Sequence, residues 1–318
     1  MPVELSVVIP MLDEEETLPL LVERLRPALD GLGLVYEVVA VDDASTDLTP
    51  AVLRQVQRGW PELRIVRLLA NSGHQAAISA GLARARGHYV VTMDADLQDP
   101  PELIEEMLEL ARRSRVDVVY GVRKDRSSDS AFKRVSARTF YVLIRRLTGV
   151  RAPHDAGDFR LMSRAVVAAI NTLPDHNRVL RFVIPALGFE SEVVEYRREA
   201  RAAGATKYPV SKMLGLSLDS VTGLSVAPLR LATLTGLVGG LLAVLLAVYA
   251  VGQDVAGNTV PGWTSTVVVV AGMGAVQLLC LGLLGEYIGR MYSQMQGRPA
   301  YLVAHDSLED SLDDQSQV

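Results

Sequence analysis

Residues 88–99 read HYVVTMDADLQD: a short run of β-formers passes directly into two aspartates one residue apart, Asp94 and Asp96, with Gln98 and Asp99 behind them. The same arrangement occurs twice upstream. Residues 5–16, LSVVIPMLDEEE, and residues 36–47, YEVVAVDDASTD, each carry a Val-rich run into a cluster of acids. Such runs, bounded by turn formers, read as strands. Further strands are expected over 64–69 and 116–121. Helical stretches separate them, one over about 15–29 and one beginning near Asp47 with Ser45 and Thr46 as candidate caps. Strands alternating with helices predict an α/β fold with a doubly wound, mostly parallel sheet. Ligands on such sheets sit beyond the carboxyl ends of the strands, and all three acidic clusters fall there. A solvated turn explains one such cluster; three together point to a single carboxylate-lined crevice.

Two carboxylates one residue apart at a strand end can share a hard divalent cation, Mg²⁺ or Mn²⁺, which keeps few protein ligands and completes its shell with substrate phosphates. Neither a GxxxxGK[ST] nor a GxGxxG motif occurs at the crevice, which excludes the P-loop and dinucleotide readings. A diphosphate held by metal without a glycine loop suits a nucleotide sugar. The chain of 318 residues has 32 Lys and Arg against 37 Asp and Glu, a net charge of −5, so a globally basic nucleic-acid binder is excluded. Its one cysteine, Cys280, can form neither an intrachain disulfide nor a cysteine zinc site, as expected of a cytosolic catalytic part.

A mean hydropathy of +0.21 is high for a chain with 22% charged residues. The apolar excess lies near the C-terminus, where residues 231–252 and 255–285 carry no charge. About 20 apolar residues span a bilayer as a helix, so two transmembrane helices are expected, at about 229–252 and 263–287. Arg230 precedes the first, Arg290 and Arg298 follow the second, and the turn between holds Asp254 without Lys or Arg. That asymmetry places both termini and the catalytic domain in the cytoplasm, in a multi-pass protein of the cell (inner) membrane. No basic stretch followed by an apolar run opens the chain, so no cleaved signal is expected. Glycines in both spans suit close helix packing, within the hairpin or in a homo-oligomer. Cys280 reads as a packing residue. The expected organisation is a catalytic domain over 1–207, an interfacial amphipathic segment over 208–228, the two spans within 229–290, and an acidic, disordered cytoplasmic tail over 291–318.

The segments VVIPMLDEEETL (7–18), VDDASTD (41–47), NSGHQAAISAGLARARG (71–87) and MDADLQDPPE (93–102) resemble the signature of glycosyltransferase family 2, which has the GT-A fold. GDFRLMSR (157–164), ATKYPVSK (205–212) and the two spans extend the resemblance to its polyprenyl-phosphate glycosyltransferases, the dolichol-phosphate mannose synthase and bactoprenol glucosyltransferase group. It covers roughly residues 4–295. It implies transfer of a sugar from a nucleotide donor to a polyprenyl phosphate lipid, with inversion. Residue by residue, it implies that Pro10, Glu14, Asp42 and Asp43 line the base and ribose pocket. Asp94, Asp96 and Gln98 would hold metal and diphosphate, and Asp158 would lie near the acceptor nucleophile. Leu12 and Asp13 stand where Tyr and Asn are common, so an aromatic wall beside the base is missing.

Between Arg123 and Arg151 nine Lys and Arg face only Asp125 and Asp129. This basic segment can attract anionic headgroups or hold a lipid phosphate. The resemblance selects Arg123, Arg134 and Arg138 for the acceptor phosphate, the last two one helical turn apart. It also implies that a lid bearing Arg201 and Lys207 closes over the donor diphosphate. The donor is expected to be a UDP-sugar such as UDP-glucose, with GDP-mannose as the alternative. A catalytically silent nucleotide-sugar-binding scaffold is the reading from another class. A processive polysaccharide synthase is disfavoured, because Trp60 and Trp263 each follow Gly and no QxxRW motif exists. His74 and His154 read as structural.

Overall fold

The computed structural model describes residues 2–123, 156–173, 179–197, 227–256 and 262–309. Arg134, Arg138, His154, Arg201, Lys207 and residues 208–226 lie outside them.

The alternating runs form the expected sheet. Strands β1 (Leu5–Met11), β2 (Tyr36–Asp42), β3 (Leu63–Leu68) and β4 (Tyr89–Thr92) pair in parallel in the order β4-β1-β2-β3. Beyond β4 lie β6 (Ala156–Ser163), β5 (Val118–Arg123) and β7 (Ser191–Tyr196); β6 runs antiparallel to both β4 and β5, and β7 runs parallel to β5. Every residue of β1 and β2 is buried, as expected of strands covered on both faces. One face packs on α1 (Leu18–Gly31), α2 (Thr49–Gly59) and α4 (Leu103–Ser114), through residues such as Leu25, Leu53 and Met107. The other packs on α3 (His74–Arg84), α5 (Arg164–Thr172) and α6 (Leu180–Ala186), through Ile78, Val166 and Ile184. The layers are those of a GT-A-type doubly wound α/β fold.

Two local details aim the site. At Gly81 an added Cβ would lie 2.3 Å from Val8 Cγ1 and 3.0 Å from Val41 Cγ2. Glycine therefore lets α3 lie directly on β1 and β2. Pro10, in the middle of the sheet, lies past Val8, the last β1 residue paired with β4. Its missing N–H faces the side that β4 has already left, so no ladder bond is lost.

The C-terminal segment departs from the expected disorder. Val303–Asp306 forms β8, antiparallel to β3 at the sheet edge. Asp306, whose side chain is 1% exposed, accepts from Arg64 Nε at 2.7 Å, Arg64 Nη2 at 2.5 Å and Arg84 Nε at 3.0 Å. Ser307 Oγ accepts from Ile65 N and Gln57 Nε2, both at 2.9 Å. A buried carboxylate paired with two guanidiniums orders a segment that looks disordered by composition. Residues 299–309 thus group with the sheet, and the described residues 227–256 and 262–298 belong to a second unit.

Within that unit, α7 (Ala227–Val255) and α8 (Trp263–Met295) have 29 and 33 residues and pack on each other, with Cys280 Sγ 3.8 Å from Ala232 O. At ~1.5 Å per residue both exceed the ~30 Å of a hydrocarbon core. Gly272–Gly289 is long and apolar enough to cross a membrane, and α7 contains a shorter apolar stretch, Ala232–Leu242. Leu237, Leu245, Leu278 and Leu279 are exposed.

Candidate active site

The loops after β1 and β2 are laced together by their own acids. Asp13 N donates to Ser45 Oγ at 3.0 Å, and Asp13 Oδ1 accepts from Thr46 N at 2.8 Å. Glu14 N donates to Thr49 Oγ1 at 2.8 Å, Glu15 N to Asp47 Oδ2 at 3.2 Å, and Leu48 N to Glu15 Oε2 at 2.8 Å. These bonds hold Glu14 and Glu15 in the loop, so α1 begins at Leu18 and not near Glu15. Ser45 and Thr46 are not the caps of α2. Leu48 stands at the N-cap without a side-chain cap bond, and Asp47 Oδ1 accepts from Thr49 N at 2.9 Å in the turn that leads into the helix. Asp47 titrates below the usual carboxylate range: burial pushes the other way, but bonds from Thr49 and Glu15 outweigh it.

Asp42 and Asp43 divide their tasks. Asp42 Oδ1 accepts from Ser45 N at 2.9 Å, and Oδ2 lies 3.3 Å from Arg67 Nε. Asp43 accepts from Ser72 N at 2.7 Å on Oδ1 and from Gly73 N at 2.9 Å on Oδ2. Burial raises the pKa of Asp43, and Asp42 adds to the rise against those two backbone bonds. Asp43 therefore fixes the loop that leads into α3, where Gly73 has φ 91°, a conformation glycine adopts without strain.

The loop after β4 is bent at Leu97, which has φ 58°, a sparsely populated conformation for a side chain of that size. The bend lets Gln98 N donate to Asp96 Oδ1 at 3.2 Å. Buried Asp99 accepts from the Tyr196 hydroxyl, and Arg123 Nη2 lies 4.0 Å from Asp99 Oδ1. Burial, then Asp99, raise the Tyr196 hydroxyl beyond the normal tyrosine range, so it remains a donor.

Asp158 enters from β6, whose antiparallel course places its first residues beside the end of β4. Thr92 Oγ1 donates to the Asp158 carbonyl. On the side chain, Arg160 Nη2 donates to Oδ1, while His74 Nε2 at 3.2 Å and Gln75 Nε2 at 3.3 Å reach Oδ2. Burial raises the Asp158 pKa, but the His74 bond and the Arg160 and Arg181 charges overcome it and hold the carboxyl well below its usual range. Asp94 behaves oppositely: burial first, then the charges of Asp158, Asp99 and Asp96, push it up to about 6 against His74. One carboxylate is held ionised at neutral pH and its neighbour is crowded by negative charge.

That crowding fits a cation. Asp94 Oδ1 accepts no hydrogen bond, and Asp96 stands two residues away on the same bent loop. Among the described residues no three or more His, Cys, Asp or Glu side chains form a ready-made metal cage. One or two carboxylates completed by substrate phosphate is the pattern of Mg²⁺ and Mn²⁺ sites.

The structure thus brings together Asp94 and Asp158, and places Arg123 beside Asp99. Pro10, Glu14, Asp42 and Asp43 lie at the β1 and β2 ends. His74, Gln75, Asp99, Arg160 and Tyr196 complete the arrangement and were not among the residues expected from sequence. Arg160 carried a signal, standing two residues from Asp158 on the same strand face. His74 and Gln75 are 84 and 83 residues from Asp158, which no local spacing reveals.

The family model for glycosyl transferase family 2 matches residues 6–170, and one for a GtrB C-terminal hairpin matches residues 227–291. A protein named as an uncharacterized glycosyltransferase of Synechocystis sp. is 39% identical over 305 residues, covering 96% of each chain. The bactoprenol glucosyl transferase of Shigella phage SfII is 35% identical over 301 residues, covering 94% of this chain and 97% of that one. Among solved structures, glucosyl-3-phosphoglycerate synthase from Mycobacterium tuberculosis, in complex with Mn²⁺, UDP and phosphoglyceric acid, superposes with a TM-score of 0.53 at 20% identity. It covers 69% of this chain and 76% of its own; the likeness is one of fold.

Proposed function

The chain belongs to glycosyltransferase family 2, and from that premise we propose that it transfers a hexosyl group from a nucleotide sugar to polyprenyl phosphate, with inversion, at the cytoplasmic face of a membrane. UDP-glucose is the donor we favour, in line with the named activity of the phage relative. The observation that carries the reading is the carboxylate pair at the strand ends. Asp158 is held ionised by Arg160 and His74, and Asp94 beside it keeps an oxygen that accepts no hydrogen bond.

In the reaction an acceptor phosphate oxygen attacks the anomeric carbon, and the bond to the nucleoside diphosphate breaks with its electron pair leaving on the diphosphate. A phosphate monoester has a second pKa of ~6 and arrives largely ionised near neutral pH. Asp158, held below the ordinary carboxylate range, is a poor proton acceptor. It orients the sugar and acceptor, and it stabilises positive charge developing on the ring. Asp94 and Asp96, with Gln98, would hold Mg²⁺ or Mn²⁺, which when bound neutralises charge on the leaving diphosphate.

Pro10, Glu14, Asp42 and Asp43 bound the nucleotide side, Asp43 through the loop that it braces. Arg201 and Lys207 are assigned to the donor diphosphate, and Arg123, Arg134 and Arg138 to the acceptor phosphate. Tyr196 and Asp99 steady Arg123. Residues 1–207 with 299–309 would be the catalytic domain, 208–226 the interfacial segment, and α7 and α8 a transmembrane hairpin returning the chain to the cytoplasm.

The test supplies the purified full chain in lipid nanodiscs with polyprenyl phosphate, Mn²⁺ or Mg²⁺, and a panel of labelled UDP- and GDP-sugars. Label from UDP-glucose should move into the lipid extract. Transfer from GDP-mannose alone would replace the donor assignment, and binding without transfer from any donor would favour a silent scaffold.

A further inference from the structure

Among the described residues, His74 is the side chain that lies within 4 Å of both Asp94 and Asp158. It opens α3, and its direction is set by groups outside the crevice. Asp43 holds Ser72 N and Gly73 N just ahead of it, and Gly81 seats the helix against Val8 and Val41. From that position Nε2 lies 3.2 Å from Asp158 Oδ2 and 3.5 Å from Asp94 Oδ1. An ionised carboxylate can only accept, so the nitrogen facing both carries the proton. Gln75 steadies the same Asp158 oxygen while its own Oε1 accepts from Leu180 N at 3.0 Å. The His74 and Asp94 side chains are each 31% exposed, against 11% for Asp158. The histidine therefore stands at the crevice wall, with Asp158 behind it.

We propose that His74 is a positioning residue for transfer, linking the carboxylate on the diphosphate side, Asp94, to the carboxylate beside the sugar, Asp158. The inference rests on the reading of the site given above. In the free enzyme one Nε2–H faces two carboxylate oxygens. Asp94 Oδ1 accepts no hydrogen bond from it but attracts it as a charge at 3.5 Å. Once donor binding engages Asp94, that competing attraction weakens, so a loaded donor site tightens the hold on Asp158. A displacement of about 1 Å in a group at the reacting centre can cost about 100-fold in rate.

The experiment compares His74→Ala and His74→Gln in the full chain. Calorimetry would read binding of Mn²⁺·UDP, steady-state transfer would read kcat and KM, and free imidazole would be added to the alanine variant. His74→Ala should lose about 100-fold in kcat while binding Mn²⁺·UDP about as tightly as the parent. His74→Gln, whose amide can still donate to Asp158, should recover part of that loss, and imidazole should partly rescue His74→Ala. An unchanged kcat overturns the inference. So does loss of Mn²⁺·UDP binding in step with kcat, or a glutamine variant no better than alanine together with no rescue. If the alanine variant does not fold, the glutamine variant decides: kcat at or below one-hundredth of the parent, with donor binding intact, also overturns it. A parent that transfers no sugar defeats the reading of the site itself, and this inference falls with it.

Discussion

Replacing Asp306 with alanine should destabilise the catalytic unit more than any other single change in the C-terminal segment. The carboxylate is buried and takes both Arg64 donors and Arg84 Nε, and Oδ1 also accepts from Leu308 N at 3.1 Å. The Arg64 side chain is 9% exposed, so little of its guanidinium can be rehydrated in place of the carboxylate. Removing one partner of a buried pair leaves an uncompensated charge and costs about 3–5 kcal/mol. For a unit of roughly 200 residues each kcal/mol lowers the melting midpoint by about 2–4 °C, so a fall of about 6–20 °C is expected. Intrinsic fluorescence can read this selectively, because the chain has two tryptophans. In a Trp263→Phe background only Trp60 reports, and its Nε1 donates to the Tyr36 hydroxyl at 3.0 Å inside the sheet unit.

Sign and pH window follow from the same contacts. The Asp306 pKa is lowered: burial opposes ionisation, and Arg64, Leu308 and Arg84 outweigh it. Its contribution is therefore full above the unfolded pKa of about 3.9 and is lost as pH falls through the lower folded value. Parent and variant should differ most at neutral pH and converge in strong acid. A midpoint for Asp306→Ala within about 1 °C of the parent at neutral pH would refute the argument that β8 is an integral edge strand.

Other outcomes follow from the site. Asp158→Asn should lower kcat by about 100-fold or more. It also removes a negative charge that raises Asp94, so the acidic limb of the rate profile should move only as far as Mn²⁺ binding moves; a limb that still shifts at saturating Mn²⁺ would mean proton abstraction. Gly81→Ala drives a Cβ into Val8, so it should cost about 1–3 kcal/mol by overpacking and lower kcat by displacing His74, measured by melting and transfer in parallel. Removing divalent cations with EDTA should abolish transfer, and Mn²⁺ or Mg²⁺ should restore it. With Asp94 raised to about 6, the carboxylate is available above that pH and protonated below it. Mn²⁺ affinity measured by calorimetry should therefore weaken as pH falls below about 6.

The three acidic clusters were legible because each follows a strand directly, and the doubly wound sheet follows from the same runs. Their division of labour was not. Asp13, Glu15 and Asp47 lace loops together, and Asp43 braces backbone amides, whereas Asp94 keeps an oxygen that accepts no hydrogen bond. Identical residue types in identical settings acquire different roles only through partners about 30 residues away. β8 was hidden for a similar reason. VAHD in an acidic tail lacks an alternating apolar pattern, and the partners that order Asp306 lie 242 and 222 residues upstream. Charge complementarity over that distance leaves no periodic trace.

The central claim is that the acceptor arrives already ionised, as a phosphate on a lipid, and needs no base. The most direct measurement offers the enzyme polyprenyl phosphate and the corresponding polyprenol in matched nanodiscs, with one labelled donor and Mn²⁺. Transfer to the phosphate with none to the alcohol is the predicted result. Comparable transfer to polyprenol would contradict the account, because the enzyme would then have to remove a proton that Asp158 is held too acidic to accept.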